Sequence, residues 1–249
     1  MPGRIGKWLA VLLVAGLCVL LVRRCGVSLL KIPGDGERPV FMAGDRVAVC
    51  KWSYGLRLSP MRWWGYVRWG EARPERGDWL AFNNPSGGSD STYVDEQDIF
   101  VGFCYAVPGD SLWIDSKGRV FRHRPRDGRP CKTVEVPRKD AYVAITPDNI
   151  QWYNHVINTH EGLHSAIISD SLCVSGHFVS SYRFKHDYYW VSSARADNLA
   201  DSRTFGFVPD ECLIGRIGCV LYSWNADAPW YAPFRISRTL MKVGRENIR

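Results

Sequence analysis

The alternation of apolar and polar positions divides the chain into two regimes. Near the N-terminus, Trp8 to Val22 reads WLAVLLVAGLCVLLV, 15 residues without a charge, with Arg4 and Lys7 before it and Arg23 and Arg24 after it. Beyond it, short β-branched and aromatic runs recur between Gly, Pro and Asp: DRVAVCKW, GDWLAFN, DIFVGFCYAV, SLWID, RVFR, TVEV, YVAI, DYYWVSS and CLIGRIGCVLYSW. Runs of this length and composition predict strands. One segment, TPDNIQWYNHVINTHEG, has a helical pattern, with Thr146 as N-cap, Pro147 at the first helical position and Gly162 as the stop. Residues 83–97 and 123–132 read as loops. The pattern predicts a mainly β domain with one helical excursion.

Fifteen helical residues span roughly 23 Å, short of a hydrocarbon core of about 30 Å. The flanking Arg and Lys side chains snorkel outward, and CGVSLL extends the apolar length. The expectation is a single transmembrane anchor over 7–30, behind a short tail at 1–6. A cleaved signal peptide is the rival reading, but the apolar region runs into VRRC rather than a small-residue cleavage site. The charges on its two sides are too even to set orientation.

At 249 residues and 46% hydrophobic content the chain can bury a real core. Its net charge of +7 suits anionic lipid or nucleic acid without choosing between them. The run MRWWGYVRWGEARPERGDW interleaves Trp63, Trp64, Trp69 and Trp79 with Arg62, Arg68, Arg73 and Arg76. Beside an anchor this fits a bilayer interface, or a β-core with a solvated rim, better than a stacking platform for nucleic acid. The segment PWYAPFRISRTLMKVG, with Arg235, Arg238 and Lys242, reads the same way. Eight cysteines contain no CxxC pair, so zinc-ribbon and redox readings are weak. Cys104 and Cys219 sit in apolar runs as small hydrophobes. An oxidising compartment would leave room for one disulfide, of unspecified connectivity.

HEGLH, His160 to His164, matches the H-E-x-x-H zinc pattern, which needs both histidines on one helical face. Gly162 falls inside it, where the helix is predicted to stop, so the histidines straddle the break. No metal site is expected.

Four stretches carry a resemblance. KIPGDGERPVF, straight after the anchor and followed by GDRVAV, is similar to the nucleophile box of bacterial type I signal peptidases. RGDWLAFNNP resembles their RGDIVVF box, and VGFCYAVPGDSLWID resembles the stretch holding their lysine. DNLADSRTFGFVP with LIGRIGCVLYSW resembles their last box and the strand after it. The boxes stand in family order and cover about residues 30–245, apart from 123–185. The resemblance implies a signal-peptidase-like β core at 31–122 and 186–230. A small α/β insertion with one helix would occupy 123–185, and a basic tail 231–249. It also implies a bacterial inner-membrane protein, with the bulk of the chain on the extracytoplasmic side. The implied partners are the lipid bilayer and signal peptides or other export components, with no nucleic acid and no cofactor.

The family cleaves with a serine nucleophile and a lysine base whose neutrality burial enforces. Aligning Ile32, Pro33 and Pro39 with its I-P-S-x-S-M-x-P-T-L pattern puts Gly36 at the nucleophile, Gly34 at the oxyanion-hole serine and Glu37 at the Met. Counting back from Pro108-Gly109-Asp110 puts Gly102 at the lysine and Phe103 at the Arg beside it. Leu199 stands where a serine orients that lysine, and Ser193 to Ala196 replace the GDNR quartet. Asp35 and Glu37 read as a solvated turn, and the glycines are expected to leave a shallow vacancy. Leu30, Ile32, Phe41 and Val101 match the pocket for small signal-peptide side chains, or are plain core. Asp45, Asp110, Asp201 and Arg203 match structural positions. The resulting expectation is a proteolytically inactive relative; the alternative is an active signal peptidase with displaced catalytic residues.

Overall fold

The structure, a computed structural model, describes residues 8, 11–16, 26–58, 67–70, 72–85 and 99–246. Much of the expected 7–30 anchor lies outside them. Residues 11–16 are helical, but among the described residues no helix is long and apolar enough to cross a membrane. Val27–Lys31, expected at the end of the anchor, is a strand instead.

The chain forms two compact units. One comprises Met1–Pro33, Ala43–Arg73 and Gly215–Val243. In it Val27–Lys31 pairs antiparallel with Asp45–Cys50, placing Leu30 opposite Val47. Asp45–Cys50 pairs in turn with the 215–223 part of the Leu213–Ser223 strand, and Met241–Lys242 lies against that strand. Val47 and Val49 face inward with period-two alternation, and a register shift between Ile217 and Cys219 lets Ile217 and Val220, three residues apart, both be buried. Asp45 is fully buried, and Arg238 reaches it at 2.6 Å.

The other unit comprises Gly34–Met42, Pro74–Ile214 and Gly244–Arg249. Trp79–Asn83 pairs with Ile99–Ala106, which pairs with Tyr188–Ser192. Trp79–Asn83 is buried at every position, so it reads as a continuous apolar run rather than an alternation. The strands expected at SLWID, RVFR, TVEV and YVAI appear as Ser111–Asp115, Val120–Phe121, Cys131–Glu135 and Tyr142–Ala144. The helix is Ile150–His160 and begins later than Thr146 because Asn149 takes over the start. The Asn149 carboxamide accepts from Thr146 N at 2.8 Å and donates to Ala144 O at 2.9 Å, closing a turn before the helix. Gly162 has φ +66°, the left-handed stop that its position predicts. Tyr153, Val156, Ile157, Phe184, Tyr188, Trp190 and Phe207 fill this unit's core.

The end of the described chain returns to the start of the Trp79–Asn83 strand. Glu246 N donates to Gly77 O at 2.8 Å, and Arg245 reaches the buried Asp78 at 2.8 Å and Glu75 at 2.7 Å. Gly77 has φ +83°, and a Cβ there would lie 2.5 Å from the Glu246 carbonyl oxygen, so both conformation and contact require glycine.

Candidate functional site

The loop after Pro33 is built around one acid. Asp35 and Arg38 pair at 3.0 Å on the surface, as a solvated turn would. Glu37 departs from that expectation: it is only 5% exposed. Its backbone carbonyl accepts from Phe41 N at 3.0 Å, and Phe41, fully buried, packs edge-to-face on Trp79 at 5.0 Å. That short turn directs the Glu37 side chain inward. The carboxyl accepts from Ala194 N at 2.8 Å and from the Asn198 carboxamide nitrogen at 2.8 Å. Burial pushes its pKa up to about 7, against the pull of hydrogen bonds from Ala194, Ser193 and Asn198, with the Asp201 charge adding to the rise.

The two dyad-matching glycines both lie against the segment that follows the Tyr188–Ser192 strand or ends it. A Cβ on Gly36 would sit 2.4 Å from the Asn198 side-chain nitrogen and 2.8 Å from its Cγ. One on Gly102 would sit 2.6 Å from Val191 Cγ1 and 3.0 Å from Ser192 O. Neither position is the shallow vacancy expected from the loss of side chains. Neighbours occupy the space, in keeping with the close packing of protein interiors. Gly34 differs: nothing lies within 4 Å of its would-be Cβ.

Other expected positions divide in the same way. Leu199 is 59% exposed. Asp201 and Arg203 pair at 2.8 Å, and Asp201 also accepts from Ser193 N and Arg203 N. Arg203 spans the loop to Ala196 O and Asn198 O, at 2.8 and 2.6 Å. Asp110 accepts from Val107 N at 3.0 Å and pairs with Arg76. Ile32 and Phe41 are buried, and Leu30 and Val101 are half-buried.

Glu161 of HEGLH is spent on structure, accepting from Lys185 N at 3.1 Å and Tyr188 OH at 2.9 Å. His160 is buried, which pushes its pKa down to about 4, whereas His164 is exposed. Among the described residues no His, Cys, Asp or Glu cluster is arranged to hold a metal. The six described cysteines are free thiols; Cys18 and Cys25 lie outside the described residues. Arg235 and Arg238, expected at a bilayer interface or on a solvated rim, turn inward, to Ala43 O at 2.9 Å and to Asp45. Trp63, Trp64 and Arg62 lie outside the described residues, and Arg68 donates to Tyr54 O at 3.1 Å.

Sequence reasoning missed Asn198, and it misjudged Glu37. A signal existed for the acid: it stands where the resembling pattern carries a methionine, an apolar position that points inward. Nothing local marks Asn198, whose place depends on how its loop folds back.

A mainly β domain, with Gly-Asp turns before the strands Asp45–Cys50, Trp79–Asn83 and Ser111–Asp115 and a Pro-bracketed loop at 33–39, sets the class: the scaffold is a β-rich domain of the signal-peptidase type. The profile of the family described as "Signal peptidase, peptidase S26" matches residues 5–222, and the chain belongs to that family. Among its relatives is Signal peptidase I of Haemophilus influenzae, 23% identical over 88% of this chain and 70% of the relative. Signal peptidase I of Pseudomonas fluorescens is 24% identical over 83% and 68%. That of Aquifex aeolicus is 24% identical over 83% and 80%.

Proposed function

We propose that this protein is a signal peptidase relative that engages signal peptides, or another export component, without cleaving them. One observation carries the reading: both dyad-matching positions are glycine, and the space that serine and lysine side chains would need is taken by Asn198 and Val191. Loss of one member of a nucleophile–base unit already removes most of the rate in serine proteases. On this reading the apolar segment from Trp8 to Val22 anchors the chain in the bacterial inner membrane, with the β domain outside the cytoplasm. The exposed Trp230, Tyr231, Ile236 and Leu240 then meet the lipid interface, where aromatic and aliphatic side chains partition well.

The test incubates the purified full chain with a pre-protein ending in an Ala-x-Ala site. The expected result is no cleavage, together with binding of the signal peptide in detergent micelles. Cleavage that survives removal of contaminating peptidase, and that one substitution in this chain abolishes, would establish the active alternative.

A further inference from the structure

Glu37 is a buried carboxyl whose surroundings supply donors but no counter-charge. Its two oxygens accept from Asn198 and from Ala194 N. The Ser193 hydroxyl is buried without a geometrically sound partner and stands near enough to favour the ionised carboxyl. Each cation of the flanking segments is committed elsewhere: Arg38 to Asp35, Arg195 to Asp197, Arg203 to Asp201. Asp201 adds a second negative charge facing the same carboxyl. The bond from Asn198 is also what holds its carboxamide over Gly36. One side chain therefore both senses charge and fixes the plug at the former nucleophile position.

We propose that Glu37 is a proton-operated latch: protonated, it keeps Asn198 seated over Gly36, and ionised, it releases the 34–42 and 193–199 loops to admit a peptide. The proposal rests on the peptide-binding reading above, and it names the regulation of that site. With the proton on Oε2, Oε1 stays the full acceptor for Asn198, Oε2 accepts from Ala194 N only weakly, and the buried Ser193 oxygen lacks another partner for the new O–H. Ionisation leaves a charge out of water with no cation beside it, a state that opening the loops to solvent relieves. The closed loop is favoured below neutrality and the open one above it. A carboxyl that titrates at about 7 when closed, and at its ordinary 4.5 when open, raises the opening equilibrium on the order of a hundredfold between pH 5 and 8.

Two readouts test this on the full chain. Amide exchange of segments 34–42 and 193–199, divided by the intrinsic chemical rate at each pH, should rise on the order of a hundredfold from pH 5 to 8 in the wild type. It should stay flat in Glu37→Gln. Should that variant fail to fold, Asn198→Ala serves: it removes a donor that favours the carboxylate, so the exchange midpoint should move to higher pH. Exchange that is flat in the wild type, or equally pH-dependent in Glu37→Gln, overturns the latch. Binding of a synthetic signal peptide should be weak at pH 5.5 and tighter at pH 8 in the wild type, and weak at both in Glu37→Gln. A pH-dependent exchange with no peptide binding by any variant keeps the latch and sinks the peptide-binding reading.

Discussion

Two buried acids a short distance apart in one unit follow opposite rules. Asp201 caps the Ser202–Phe205 helix, accepts from Ser193 N and keeps a cation, Arg203, at 2.8 Å. Glu37 is about as buried, accepts from neutral donors alone and is pushed up to about 7. Asp201 stands at a position where the family pattern keeps its Asp-Ser-Arg, and Glu37 at one where the pattern is apolar. The contrast shows what the fold retains. Acids that hold backbone in place keep their partners, whereas Glu37 is held by neutral donors alone, and Gly36 and Gly102 lie tight against Asn198 and Val191.

The largest break in that comparison is Asp201→Ala. It strips Arg203 of its acid and orphans Ser193 N in the interior, and removing one partner of such a pair costs about 3–5 kcal/mol. Chemical denaturation at pH 7 checks the loss. Glu37→Gln sharpens the other side. Because its folded pKa lies above the unfolded 4.5, the stability Glu37 supplies is full below pH 4.5 and is lost as pH rises through about 7. That loss amounts to about 3 kcal/mol by linkage. Unfolding free energies of wild type and variant measured from pH 4 to 8 should diverge over that window in the variant's favour. Identical pH profiles would count against the burial argument.

The smallest effects come from the three glycines, and their order is the prediction. Gly102→Ala meets Val191 and backbone, so it should cost about 1–3 kcal/mol, as overpacking does. Gly36→Ser meets the end of the Asn198 side chain, which can turn away, and should cost less, about 1 kcal/mol or under. It should not bring cleavage of an Ala-x-Ala pre-protein, because Gly102 supplies no base. Gly34→Ser enters open space and should stay within about 0.5 kcal/mol of wild type. A Gly36→Ser protein that cleaves would show that a base exists elsewhere.

Much of the scaffold was legible because its determinants are local. The strand runs were marked by their own composition, and Gly44-Asp45, Gly77-Asp78 and Gly109-Asp110 by turn chemistry, where Gly supplies positive φ and Asp78 and Asp110 bond nearby backbone. The matching of Gly36 and Gly102 to the family's dyad rests on the order of four boxes alone. What could not be read were long-range contacts: Glu37 meets Ala194 across 157 residues and Asn198 across 161. The same limit hid Arg238, which looked like part of a basic tail and instead neutralises Asp45 across 193 residues.

The return of residues 245 and 246 to the turn at Gly77 has a practical consequence for handling this protein. Arg245 is the cation of the buried Asp78, so a chain trimmed after Val243 loses the charge balance at the start of its central strand. A bulky group attached directly after Glu246 would meet the turn at Gly77 and strain the 244–246 clasp. A purification handle with a long flexible spacer after Arg249 keeps that clasp intact.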